Sequence, residues 1–225
     1  MKKNKFLQTL DSTEEYLYSS MKIVKSIREV YEKNDRAEAF RQTFMLQPIV
    51  ENLTLLARAL PTYTSHPNSI QIVERVTKES IPVDIGYTAE GWFCVRLPML
   101  LPKKNEGSAE YIRQFLYFAM KRFFTGKEPR KYDGAVLIYR HVYTEECPER
   151  QKRDHDNIEV NMVSDIIAMY SLCDDGPEIC SHFYCSALGD KERTEVYVVP
   201  QNEFSKWLLR EKEMSKGGVE LYEND

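Results

Sequence analysis

Arg153-Asp154-His155-Asp156-Asn157 is followed by an apolar run from Ile158 to Leu172 and then by Asp174-Asp175-Gly176-Pro177. Acidic residues stand at both ends of a segment that reads as a helix over about 157–172, and Gly-Pro marks the turn that follows it. Before it, residues 134–143 read as a strand, followed by a charged loop over 144–153. After it, residues 179–187 and 194–199 read as two strands around a turn at Gly189-Asp190-Lys191. The order is strand, loop, helix, turn, strand. In a compact unit the strand after the turn then returns along the sheet beside the strand before the helix, which would carry Asp175 towards Asp154.

Further towards the N-terminus, Ile81, Val83 and Ile85 alternate with other residues, a turn occupies 86–91, and Trp92 to Leu97 reads as the returning strand of a β-hairpin. A helix is expected over about 105–124, closed by Thr125-Gly126. The first third differs in kind. Ser12-Thr13-Glu14-Glu15 has the form of a capping box, and Leu17, Met21, Val24, Ile27 and Val30 recur at helical spacing, which predicts a helix over 13–32. Asp35 is placed to cap a second helix that runs to Leu60, with Pro48 inside it and Pro61 just past its end. The two predict an antiparallel hairpin whose stripes suit a core or an oligomer interface. A short amphipathic helix follows around Phe204, Trp207 and Leu208, and residues 215–225 read as a frayed polar tail. The expected class is α/β in the α+β sense: a mixed sheet with flanking helices over 78–214, preceded by a helical hairpin over 1–62.

The composition, 42% hydrophobic and 29% charged, is that of an ordinary folded chain. No apolar run approaches the ~18 residues of a membrane span. The basic start at Lys2, Lys3 and Lys5 is followed by Gln8, Asp11, Glu14 and Glu15 where a signal peptide needs an apolar core, so export is not expected and the cytoplasm is. Five cysteines at irregular spacing suit free thiols better than a disulfide framework, and no CxxC or HxxxH pair marks a zinc site. The net charge of −4 opposes non-specific binding to nucleic acid, but the charge is unevenly spread. Between Lys103 and Arg153 stand twelve bases against seven acids, so a nucleic-acid footprint is expected there, with Lys121, Arg122, Arg130, Lys131, Lys152 and Arg153 as its candidates. Tyr111, Tyr117, Tyr139 and Tyr143 are available to stack unpaired bases or to fill the core.

Converging carboxylates repel one another without a cation, and Mg²⁺ or Mn²⁺ prefers oxygen ligands. Such an ion polarises a phosphodiester and generates hydroxide from bound water. The same residues also fit a plainer reading, because Asp-x-Asp-Asn before a helix is capping chemistry and Asp-Asp-Gly-Pro is turn chemistry. His155, between two aspartates, is a further metal-ligand candidate or a solvated side chain.

Arg153-Asp154-His155-Asp156-Asn157, the apolar helix, Asp174-Asp175 and the strand Thr194-Glu195-Val196-Tyr197-Val198 together resemble the layout of RusA-like Holliday-junction resolvases over about residues 134–200. The resemblance implies a Mg²⁺-dependent, structure-selective DNA endonuclease acting as a homodimer on branched DNA. Its metal and catalytic residues would be Asp154, Asp156 and Asp175, supported by Asp174 and Asn157. The chain departs from that family in one respect that bears on chemistry. Val160 stands where the family carries a catalytic lysine, four residues after the second aspartate, and Asp165 is one place beyond the family's helix aspartate. A non-catalytic DNA-binding or protein-interaction module on the same scaffold is the alternative.

Overall fold

A computed structural model of the chain describes residues 4–104, 109–147, 152–174 and 176–223, the side chains of residues 74 and 78–80 excepted. These fall into two compact units: a helical one up to Thr77 that also takes in residues 109–111, and an α/β one made of the rest.

The helical unit is built on α1 (Lys5–Glu32) and α2 (Arg36–Ala59), joined by a tight break in which Asn34 takes a left-handed φ of 63°. The Asp35 side chain accepts from the Glu38 amide at 3.0 Å and so starts α2 as expected. α1 starts earlier than its capping-box sequence predicts. Its cap is Asn4, whose side chain accepts from the Phe6 amide, and Thr13 lies inside the helix with its hydroxyl donating to the Thr9 carbonyl at 2.8 Å. A threonine hydroxyl inside a helix can donate back to the carbonyl four residues earlier instead of opening a new helix. Pro48 is accommodated within α2. A third helix, α3 (Ser69–Ser80), goes beyond the two expected of the first third, and Ile70, Val73, Val76 and Thr77 recur in it at helical spacing.

The α/β unit carries a five-stranded mixed sheet in the order β1-β2-β5-β3-β4, and the expected α+β class holds. The hairpin of β1 (Asp84–Tyr87) and β2 (Phe93–Leu97) is followed by α4 (Ala109–Phe123), β3 (Ala135–Thr144), α5 (Asn161–Ser171), β4 (Cys180–Gly189), β5 (Arg193–Pro200) and α6 (Phe204–Glu211). β5 lies antiparallel between β2 and β3, whereas β4 runs parallel to β3 over ten residue pairs from Ala135↔Cys180 to Thr144↔Gly189. The helix between β3 and β4 therefore belongs to a crossover connection.

β3 is buried along almost its whole length because both faces of the sheet are covered, as expected of a central strand. On one face Phe93 meets Phe123 and Phe124, and Tyr139 reaches Ser164 of α5. On the other, Trp207 of α6 closes a cluster with Trp92, Cys94, Val136, Ile138, Tyr197 and Val199.

The latter face also holds a buried carboxylate. Glu195 accepts from Arg193 Nε at 2.7 Å, from Tyr197 Oη at 2.8 Å and from Arg140 Nη1 at 3.0 Å. Burial alone would push its carboxyl up, but Arg193 and Arg140 outweigh that and hold it below the ordinary range. The arginines then fix the C-terminal segment: Arg193 Nη2 donates to the Lys216 carbonyl at 2.9 Å and Arg96 Nη2 to that of Val219 at 2.6 Å. The tail expected to fray instead continues onto β1, where Tyr87 and Tyr222 exchange two backbone hydrogen bonds of 2.8 Å. The cause is a buried charge cluster whose partners lie far apart in sequence.

Candidate functional site

After β3 the chain returns at Lys152, and the Arg153 amide donates to Tyr143 Oη at 3.0 Å. Asp154 is extended, and residues 155–157 form one turn of 3-10 helix closed by the Asn157 amide on the Asp154 carbonyl at 3.1 Å. The chain is then pinned against the segment before α4. Lys104 donates its amide to the Asn157 carbonyl at 2.9 Å, and Glu159 donates its own to the carbonyl of Pro102 at 2.9 Å. Ile158 and Val160 are buried, whereas Asp154, Asp156 and Asn157 are exposed. Two inward apolar anchors thus hold an acidic turn outward.

The capping role that Asp-x-Asp-Asn invites is not taken up. α5 begins only at Asn161, Val160 stands at its N-cap with no side-chain bond, and the Asp154 side chain makes no capping bond to its own turn. Local sequence thus offers the carboxylates of residues 154 and 156 a structural task that the fold leaves undone. Both suit a hard divalent cation in ligand type.

His155 joins the turn to the sheet. Its Nε2 lies 2.8 Å from Ser186 Oγ of β4, and its ring stacks between His141 and Tyr184 at centroid distances of 5.8 and 6.1 Å. Tyr184 stacks in turn on Tyr139 at 5.6 Å. These rings form one layer because residues 139 and 141 of β3, and 184 and 186 of β4, share a face of the sheet. His141 is fully buried, and neither ring nitrogen has a hydrogen-bond partner. Burial first, then the charges of His155 and Arg153, push its pKa down to about 4. This layer is legible in the alternation of the two strands only once their register is known.

Asp174 lies elsewhere. The Cys173 amide donates to the Tyr132 carbonyl at 3.1 Å, which sets Asp174 near the start of β3, while the Asp154 turn sits over its later half beside Ser186. Between them runs α5, eleven residues long and hence ~16 Å. Parallel pairing of β3 and β4 produces this separation, since a crossover helix must carry the chain back to the same end of the sheet. Asp174 instead shares an open cavity of about 280 Å³ with Lys131, Asp165, Met169 and Cys173. Asp175 lies outside the described residues. Among the described residues no three of His, Cys, Asp and Glu gather closely enough to hold a metal ion.

The basic candidates are not equivalent. Lys121 and Arg122 are exposed in the last turn of α4, and Lys152 is exposed just before the acidic turn. Arg130 lies over the Tyr132 ring at 5.2 Å. Lys131 donates to the carbonyls of Met169 and Leu172 at 2.6 and 2.9 Å, so it serves the C-terminus of α5. Tyr139 and Tyr143 belong to the core, with Tyr139 donating to the Val160 carbonyl at 3.4 Å, and Tyr111 packs under Arg58 within the helical unit. Tyr117 alone of the four is appreciably exposed, at 37%.

No helix among the described residues is long and apolar enough to cross a membrane. No curated protein matches the sequence. A family model matches residues 2–225, practically the whole chain, and the protein therefore belongs to the family of unknown function DUF6100.

Proposed function

We propose that the α/β unit is a relative of the RusA-like resolvases and acts on branched DNA as a Mg²⁺- or Mn²⁺-dependent, structure-selective endonuclease. The observation that carries this is the acidic turn at Asp154–Asn157, held outward at the expected place in a chain order of hairpin, helix, strand, turn, helix and parallel strand, and excused from capping. Asp154 and Asp156 would hold the cation, and Asp175 is the third ligand that the resemblance implies. A bound cation would polarise the scissile phosphate and lower the pKa of its water. Lys152 and Arg153 on one side, and Lys121, Arg122 and Arg130 on α4 and the segment after it, would dock the phosphate backbone. The setting proposed is the cytoplasm, where the five free cysteines stay reduced.

A second reading has its own support. Val160, at the position of the family lysine, is buried and faces the core, so no cation reaches the reacting phosphate from that place. Loss of such a charge commonly removes orders of magnitude in rate, which favours a protein that binds junctions without cutting them. One experiment separates the two: incubate the full chain with a labelled four-way junction, with and without Mg²⁺ or Mn²⁺. The first reading expects metal-dependent cleavage that Asp156→Asn abolishes. The second expects a shifted but intact junction whose affinity falls as salt rises. The absence of both cleavage and a shift refutes both readings.

A further inference from the structure

We infer that α1 pairs with α1 of a second copy of this chain, antiparallel about a twofold axis near Met21. The inference is independent of the proposed nuclease, because it rests on the helical unit alone.

α1 meets α2 along a heptad seam that includes Thr9, Thr13, Tyr16, Ser20, Ile23 and Ile27, all buried or half-buried. One residue further along at each step runs a second line: Leu10, Glu14, Leu17, Met21, Val24 and Arg28, ending at Tyr31. A step of one residue is ~100° around a helix. In a four-helix bundle each helix touches two neighbours at roughly that angle, so α1 has both seams of a bundle helix while α2 fills one. The second seam is left in water, with Leu17 46%, Met21 70% and Val24 44% exposed. α2 matches it with exposed Phe40 and Phe44, edge-to-face at 5.0 Å.

Charge identifies the occupant. Before Met21 α1 carries Asp11, Glu14 and Glu15 against Lys5; after it α1 carries Lys22, Lys25 and Arg28 against Glu29 and Glu32. Parallel pairing sets acids against acids. Antiparallel pairing about Met21 sets Glu14 against the partner's Arg28, seven residues from the axis on either side, and the twofold makes the contact twice. Tyr18 then faces the partner's Val24, and Met21 faces itself. The surface is complementary to its own copy in charge at Glu14 and Arg28 and apolar at its centre around Met21, while towards the ends Leu17 lies level with the partner's Lys25 and Leu10 with the partner's Glu32.

Sedimentation and light scattering of the full chain test this. The expected result is a dimer of the 26.4 kDa chain that Met21→Glu converts to monomer. Glu14→Arg and Arg28→Glu each weaken dimerisation about tenfold, and the double exchange restores it, a rescue that a fold defect does not give. Under mild oxidation Met21→Cys gives a covalent dimer that the wild type, with its native thiols, does not. Leu10→Cys does not either, because antiparallel copies hold those positions ~33 Å apart. A monomeric wild type, a dimer indifferent to Met21→Glu, or crosslinking through Leu10→Cys overturns the inference. A dimer held elsewhere on the α/β unit gives the second of these outcomes and leaves the nuclease reading standing.

Discussion

The two units spend their apolar residues in opposite ways. In the α/β unit Trp92, Trp207, Tyr139, Tyr143, Tyr197 and Phe93 are almost wholly enclosed, and even charged Glu195 and Arg140 are drawn inside and paired. In α1 and α2 the fully buried residues are Thr9, Thr13 and Ala39, while Tyr18 and Met21 stand 73% and 70% exposed. A sheet covered on both faces closes its own core. α1 and α2 bury one stripe each against one another, and their stability is tied to what covers their remaining faces. Burial, more than helical length or propensity, measures which region stands alone.

The largest loss of stability is expected in the α/β core. Trp207→Ala should cost about 4 kcal/mol in denaturant unfolding, since it empties the cluster beneath the sheet. Met21→Ala, measured at concentrations that keep the chain monomeric, should change stability by less than about 0.5 kcal/mol. Comparable losses at the two positions would show that the exposed helical face is already covered within one chain.

A second test uses acid. Unfolded, His141 takes its proton near pH 6.5; folded, it does so only at about 4. Between those values the unfolded state binds more protons, so this contribution is complete above pH 6.5 and is lost as pH falls towards 4. The loss amounts to about 3 kcal/mol. His141→Phe, which also removes two unpaired ring nitrogens, should raise stability at pH 5 and flatten the curve over that window. An unchanged acid slope would mean that another group controls it.

The anchored tail gives a smaller effect. Gly218 has φ of 88°, and a Cβ there would sit 2.7 Å from Glu195 Oε1 and 2.9 Å from Arg96 Nη2. Gly218→Ala should therefore cost about 2 kcal/mol and speed hydrogen exchange at the Tyr87 and Tyr222 amides. The smallest effect belongs to the acidic turn. Asp156→Asn should leave the melting temperature within a degree or two of wild type, because the side chain is exposed and starts no helix. A drop of several degrees would assign Asp156 to the fold instead of to a ligand.

The elements themselves were largely legible, and the residues that misled did so for physical reasons. Alternation and turn residues located β1 to β5, and apolar spacing with Asp35 located α2, because those signals act within a few residues of chain. The stripe of Leu17, Met21, Val24, Ile27 and Val30 was legible as apolar but not as two faces, of which only the last two residues turn towards α2. The capping box at Ser12 was a valid local signal overtaken by an earlier cap at Asn4.

The class of the fold, the succession of its strands and the acidic turn were all legible in the chain, since each depends on short-range pattern. Only the fold settles the register of β4 on β3, the helix length between Asp174 and the pair Asp154 and Asp156, the stacking of His141, His155 and Tyr184 in one layer, and the gathering of three arginines and the C-terminal segment around Glu195. Those relations join residues tens of positions apart. Strand pairing and burial of the whole sheet set them, and no local stretch of chain encodes either.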